Sequence, residues 1–166
     1  MLKFIKPDEG YMDSIINSIA DPIFVKDKDH RWVYFNDAFC KMIGRTRGEL
    51  LGKTDYDFFP TKESDVFWEK DEFVFNEKGP NVNEETITDA TGKTHVIITK
   101  KVLYMDMAGH KYIVGVIRDV TERRETEAKL RAHIAELEEQ VVRLTEATRL
   151  TTTLDKTMPE KSAPAK

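Results

Sequence analysis

The sequence predicts an α+β domain, a five-stranded antiparallel sheet with short helices on one face, flanked by an N-terminal helix and a long C-terminal helix. Three observations lead there. Two strand-like runs, several short helical patterns and three further strand-like runs follow in that order, and the short polar turns joining the last three impose antiparallel neighbours. The 166 residues are 40 % hydrophobic and 34 % charged, enough for one globular core plus extended structure but cramped for two. From residue 121 to about 150 there is no Gly or Pro, and Ala, Glu, Arg and Leu dominate, which reads as one long helix. The expected organisation is a flanking helix within 1–20, a globular domain at 21–120, a signalling helix at 121–150 and a disordered tail, rich in Thr, Lys and Pro, at 151–166.

The first helical pattern, residues 11–20, spaces Met12, Ile15, Ile16 and Ile19 by three and four, a stripe expected to pack on the domain. Pro22 ends it. Ile23-Phe24-Val25-Lys26 and Trp32-Val33-Tyr34-Phe35 are rich in the apolar and β-branched types that suit a sheet, and the polar residues 27–30 join them as a hairpin. Asn36 or Asp37 can cap the next helix, in which Phe39, Met42 and Ile43 share a face before Gly44 stops it. A short helix at 47–51 and an aromatic turn at 56–60 precede a longer helical pattern at 62–76, closed by Gly79-Pro80. Strands at 83–88, 94–104 and 111–119 complete the domain.

A formal charge of −4 and a pI near 5.6 provide no basic excess for nucleic acid or anionic lipid. The single cysteine, Cys40, excludes an intrachain disulfide and leaves no cysteine pair for a metal, which suits a reducing compartment. No stretch approaches the ~18 apolar residues that suggest a membrane span. A soluble, cytoplasmic protein is expected.

Several fragments, in order, resemble the PAS family, and together they cover residues 11–124. They are Asp21-Pro22-Ile23-Phe24-Val25-Lys26-Asp27, Tyr34-Phe35-Asn36-Asp37-Ala38-Phe39, Ile43-Gly44-Arg45 with Glu49-Leu50-Leu51-Gly52-Lys53, the turn at 89–93, and Gly115-Val116-Ile117-Arg118-Asp119-Val120-Thr121-Glu122-Arg123. In this family the closing Asp-x-Thr marks where the last strand passes its signal into an output helix, which implies a relay role for Asp119 and Thr121. Helix capping by the same two residues is the simpler reading, and the two are compatible. The resemblance also implies possible partners: a histidine kinase of a two-component system, a cyclase or another PAS protein.

Leu130, Ile134, Leu137, Val141 and Leu144 are spaced four, three, four and three, the alternation of a coiled-coil seam. Ile134 and Val141 occupy one seam position and the three leucines the other, a combination that favours two parallel strands. A parallel homodimer is expected, held by this helix together with the first. The alternative is that the helix folds back onto its own sheet.

No nucleophile elbow, phosphate-binding glycine loop or zinc spacing appears, and enzymatic activity is not expected. His30 and His110 fall in polar turns and read as solvated; His95 and His133 lie in a strand and the coil. PAS domains that hold haem commonly use a histidine on the helix before the last three strands, and 62–76 contains none. The flavin photoreceptor branch carries a reactive cysteine in an Asn-Cys-Arg motif, whereas Cys40 lies between Phe39 and Lys41 and reads as a small core residue. No cofactor is favoured and no metal site is expected. A small-molecule pocket lined by some of Phe39, Met42, Ile43, Phe67, Val74, Ile98 and Val114 competes with an ordinary filled core made of the same residues. Asp71 shares a helical face with Phe67 and Phe75. Either it is solvated at the edge, or Lys100 or Lys101 partners it in the interior, where it could orient a polar ligand. The leading functional reading is a sensory and dimerisation module that relays a change in the domain into the coil. A ligand-free interaction domain and a haem or flavin redox sensor are the alternatives.

Overall fold

The computed structural model describes residues 9–76 and 79–157. In chain order these form α1 (Glu9–Ser18), β1 (Ile23–Lys26), β2 (Trp32–Phe35), α2 (Asp37–Ile43), α3 (Arg47–Leu50), a 3-10 turn (Asp55–Asp57), α4 (Thr61–Phe75), β3 (Asn81–Thr88), β4 (Thr94–Met105), β5 (Lys111–Asp119) and α5 (Thr121–Thr157). The strands make one antiparallel sheet in the order β2-β1-β5-β4-β3, with β5, the last in sequence, at its centre. The chain divides into two compact units, Met1–Glu122 and Arg123–Lys166.

Three hairpins of the sheet turn on the same device. Oδ1 of Asp27 accepts from the N–H groups of Asp29 and Arg31, that of Asp89 from Thr91 and Lys93, and that of Asp106 from Ala108 and His110, all within 2.8–3.0 Å. An aspartate that binds its own backbone two and four residues on replaces the ladder bonds the turn gives up. The residue three places after each aspartate is left-handed: His30 at φ 58°, Gly92 at 84° and Gly109 at 84°. Glycine takes that conformation freely. A residue with a Cβ meets a penalty of roughly 1–2 kcal/mol there.

α2 begins where Asn36 Oδ1 accepts from Phe39 N–H at 3.0 Å. The same oxygen accepts from Ile23 N–H, and the amide nitrogen donates to the carbonyls of Ile16, Ile19 and Asp21. Asn36 is fully buried and ties α1, β1 and α2 together. Gly115 opposes Phe24 across β1 and β5, and the Phe24 ring fills the space a Cβ at 115 would need.

The register places Phe24, Lys26, Ile97, Thr99, Lys101, Ile113 and Ile117 on the face covered by helices, where they meet Trp32, Phe35, Phe39, Ile43, Leu50, Phe59, Phe67 and Val74. Ile98 and Val114, expected to line this interior, lie on the opposite face of the sheet. The correction is one of phase: both strands carry adjacent apolar pairs, Ile97-Ile98 and Ile113-Val114, so alternation alone does not say which member points inward.

α1 also differs from expectation. Met12, Ile15 and Ile19 remain exposed, and the helix docks through polar contacts: Tyr34 to Asp13, Asn17 to the Asp37 backbone, and the Asn36 amide. α5 runs past residue 150 to Thr157, since neither Gly nor Pro interrupts it before Pro159. The rest of the expected tail, 158–166, lies outside the described residues. Along α5 the seam residues Leu130, Ile134, Leu137, Val141 and Leu144 are between 45 % and 68 % exposed. Among the described residues no helix is long and apolar enough to cross a membrane.

Candidate functional site

Four charged side chains meet inside the domain. Lys26 of β1 places Nζ 2.5 Å from Asp55 Oδ2 and 2.7 Å from Asp71 Oδ2, while Lys101 of β4 places Nζ 2.7 Å from Asp71 Oδ1. Lys101 also donates to the Phe67 carbonyl at 3.2 Å. The Lys101–Asp71 contact is off the direction of a hydrogen bond, so charge rather than an aligned donor holds that carboxylate oxygen. All four residues are at most 3 % exposed. Two ammonium groups and two carboxylates balance, which is the condition for keeping charges out of water.

Burial works against every charge in the set. For Lys26, burial favours the neutral amine, but Asp55 and Asp71 outweigh it and hold the ammonium above its ordinary pKa. Burial would likewise raise Asp71, yet Lys26, Lys101 and a hydrogen bond from His30 hold it well below the usual carboxylate range. For Asp55 burial prevails: despite Lys26, and with the Asp71 charge adding to the effect, its carboxyl is pushed up. The carboxylates are thus unequal. Asp71 is the fixed anion and Asp55 the one more costly to keep ionised.

Asp71 is fully buried, not solvated at the helix edge, and its strand partner is Lys101; Lys100 points to the other face and is exposed. His30 corrects a second expectation. It is 3 % exposed rather than solvated, with Nδ1 3.3 Å from Asp71 Oδ2 and Nε2 3.0 Å from Glu72 Oε1. Its ring lies flat on Trp68, centroids 3.9 Å apart and planes 9° from parallel, and meets the Phe75 ring edge-on. His110 is exposed, as a turn residue should be.

Next to the cluster the interior leaves a cavity of about 20 Å³, bounded by Lys26, Asp55 and Lys101 and by aromatic and aliphatic side chains. That is room for about one water, whereas a site for an organic ligand takes several hundred Å³. Of the candidate lining residues, Phe39, Ile43 and Phe67 bound this cavity, Val74 is buried elsewhere in the core, and Met42 packs against it from the side. Cys40 is partly buried beside the same core, and burial pushes its thiol up, away from the reactive thiolate.

At the far end of β5, Asp119 and Thr121 form a joint. Asp119 Oδ1 accepts from the Thr121 N–H at 2.9 Å and hydroxyl at 2.6 Å, and Thr121 Oγ1 accepts from Val96 N–H at 2.8 Å. The Thr121 hydroxyl therefore binds β4 rather than capping α5. Asp119 Oδ2 meets His95 Nδ1 at 2.8 Å, and His95 Nε2 lies 3.2 Å from Asp89 Oδ2. His95 so staples the β3–β4 turn to the end of β5. Partial burial raises the Asp119 carboxyl, but its bonds from Thr121 and His95 prevail and lower it.

The sequence profile described as PAS fold matches residues 10–120. The protein y4lL of Sinorhizobium fredii (strain NBRC 101917 / NGR234) is 38 % identical over 125 residues, covering 74 % of this chain and 15 % of y4lL. The virulence sensor protein BvgS of Bordetella pertussis is 29 % identical over 125 residues, covering 72 % of this chain and 10 % of BvgS. The chain thus spans only a small part of either relative. Among solved structures, the PAS domain of Bordetella pertussis BvgS superposes with a TM-score of 0.50 at 26 % identity, covering 76 % of this chain and 96 % of that domain. The PAS domain of a Colwellia psychrerythraea protein superposes with a TM-score of 0.60 at 14 % identity, over 68 % of this chain and 97 % of the other, a likeness of fold.

Proposed function

The chain belongs to the PAS family, and on that premise we propose that it is a sensory and dimerisation module of signal transduction, in which a change inside the domain leaves through Asp119 and Thr121 into a parallel coiled coil built on α5. Domains of this family are regulatory rather than catalytic. The observation that carries the reading is the joint itself: a single residue, Val120, separates β5 from α5, and Asp119 and Thr121 bond both to each other and to β4. A shift of the central strand must act on the first turn of the helix or break those bonds. Two apolar stripes left open, Met12 and Ile15 on α1 with Ile19 just past its end, and the heptad seam on α5, support a second copy as the partner. The proposal places the module in the cytoplasm, upstream of a histidine kinase, a cyclase or another PAS protein.

A second reading rests on the cavity of about 20 Å³. With room for one water, the core suits a ligand-free interaction domain, and an organic cue seated within that core would have to part the helices from the sheet. Native mass spectrometry of protein purified from its host separates the readings by a retained ligand, and an absorption spectrum identifies haem or flavin. Dimerisation is tested by sedimentation: Leu137→Glu places a charge in the seam and is expected to raise the dimer Kd at least ~10-fold, about 1.4 kcal/mol. A parent chain that sediments as a monomer would overturn the dimer.

A further inference from the structure

The β1–β2 turn keeps a histidine where the two sister turns use glycine. His30 sits at φ 58° and bears a backbone penalty that Gly92 and Gly109, both at 84°, avoid. The side chain held there is a buried imidazole whose two nitrogens each face a carboxylate, Asp71 at 3.3 Å and Glu72 at 3.0 Å. We propose that His30 is a proton-binding site and that the cue this domain senses is pH, an inference that rests on the sensory reading above and supplies its input.

A neutral imidazole has one N–H and can donate to only one of the two carboxylates, leaving the lone pair of its other nitrogen against an anion. The imidazolium donates to both. On losing the proton one contact fails, and Glu72, whose carboxylate is 57 % exposed, is the partner free to turn to water, whereas Asp71 is wholly buried and fixed. The stack on Trp68 also favours the cation over the indole face. Protonation therefore clamps the β1–β2 turn to α4, and deprotonation leaves a strained turn with half its hold.

Every charged group around the ring enters the balance. Lys26 of β1 opposes the proton; Asp71 and Glu72 of α4 favour it; Asp55 of the 3-10 turn and Lys101 of β4 act across Asp71. Burial works against the cation, but the bonds to Asp71 and Glu72 outweigh it and raise the imidazole above its ordinary 6.5. The route outward is short. Lys26 and Lys101, both on Asp71, belong to β1 and β4, the two strands flanking β5 and its joint.

The test is a pH titration of the full chain followed by the imidazole Cε1–H resonances, with His30 identified by the signal lost in His30→Gly. That variant relieves the left-handed strain. His30→Asn, which also tolerates the conformation, replaces it should glycine prevent folding. The His30 midpoint is expected above 6.5, lowered in Glu72→Gln, and matched by quenching of Trp68 emission that is absent without the imidazole. A His30 that fails to titrate between roughly pH 5 and 8.5, a midpoint at or below 6.5, or a midpoint unmoved in Glu72→Gln overturns the proposal. The resonance judges the proton site and sedimentation judges the dimer, so either can fail alone.

Discussion

Asp71→Asn is the most severe conservative change the structure offers. The carboxylate is fully buried and lies 2.7 Å from each of two ammonium groups. At an effective dielectric near 20, each such pair at 2.7 Å is worth about 6 kcal/mol of attraction. The variant forfeits both and leaves Lys26 and Lys101 sharing only Asp55, one buried positive charge in excess. Relief of the carboxylate's own desolvation offsets part of the loss, and the net cost of breaking a buried pair by removing one partner is about 3–5 kcal/mol. The asparagine cannot compensate, since its NH₂ group would face an ammonium that also donates. Urea unfolding at one fixed protomer concentration measures the change. Because a loss of that size can unfold the domain, the decisive comparison is the double variant Asp71→Asn, Lys101→Met. It leaves Lys26 and Asp55 as a balanced pair and is expected to be more stable than Asp71→Asn alone by over ~1 kcal/mol. An Asp71→Asn protein within ~1 kcal/mol of the parent, or stability losses that merely add, would refute the four-charge account.

Two further outcomes follow from packing and from a buried amide. Gly115→Ala drives a methyl into the Phe24 ring, which Phe39 backs at 5.6 Å, so a loss of about 1–3 kcal/mol is expected, seen as a lower Tm; an unchanged Tm would show that the ring yields freely. Asn36→Ala removes an N-cap and takes the partner from the buried Ile23 N–H and from the part-buried carbonyls of Ile16, Ile19 and Asp21, for about 2–4 kcal/mol. Asn36→Asp keeps both acceptor bonds but loses the donors, so hydrogen exchange should quicken in α1 while the start of α2 stays protected. Equal protection in α1 before and after would contradict docking through that amide.

The strands and turns are legible because local chemistry decides them. Asp27, Asp89 and Asp106 satisfy their own turns whatever the rest of the chain does, and the runs between them suit a sheet. The helix α5 is legible for the same reason, having no breaker across thirty residues. The interior site is not legible, since it is assembled from charges that each look like surface in their own segment. Lys26 ends a short strand, Asp55 opens an irregular turn, and Lys100-Lys101 is a pair whose inward member only the register selects. A signal existed: Lys26 shares the alternation phase of Phe24, and Lys101 that of Ile97 and Thr99, so fixing one inward residue per strand would have pointed both lysines inward. His30 carried another. It stands at the turn position where the other two hairpins have glycine, a reason to ask what its side chain touches.

Stability alone does not account for charges in this core. Apolar residues of similar volume commonly replace a buried ion set at no loss, or with a gain of 1–4 kcal/mol. The cluster instead makes the interior responsive in a way an aliphatic core is not. Asp71 serves Lys26, Lys101 and His30 at once, so a proton gained or lost at the imidazole changes the field on two lysines anchored in different strands. The sheet order makes those strands the two neighbours of β5, whose last residue is Asp119. A side-chain event of one proton at the β1–β2 turn thus meets the backbone where the domain has its central strand, while an interior with room for about one water absorbs little of the movement. The test of that link is a cycle of His30→Gly with Lys101→Met read on hydrogen exchange of the Val120 N–H, which donates to Val96 O at 2.9 Å at the joint. Coupling of ~0.5 kcal/mol or more supports transmission through the cluster, and strict additivity of the two changes rejects it.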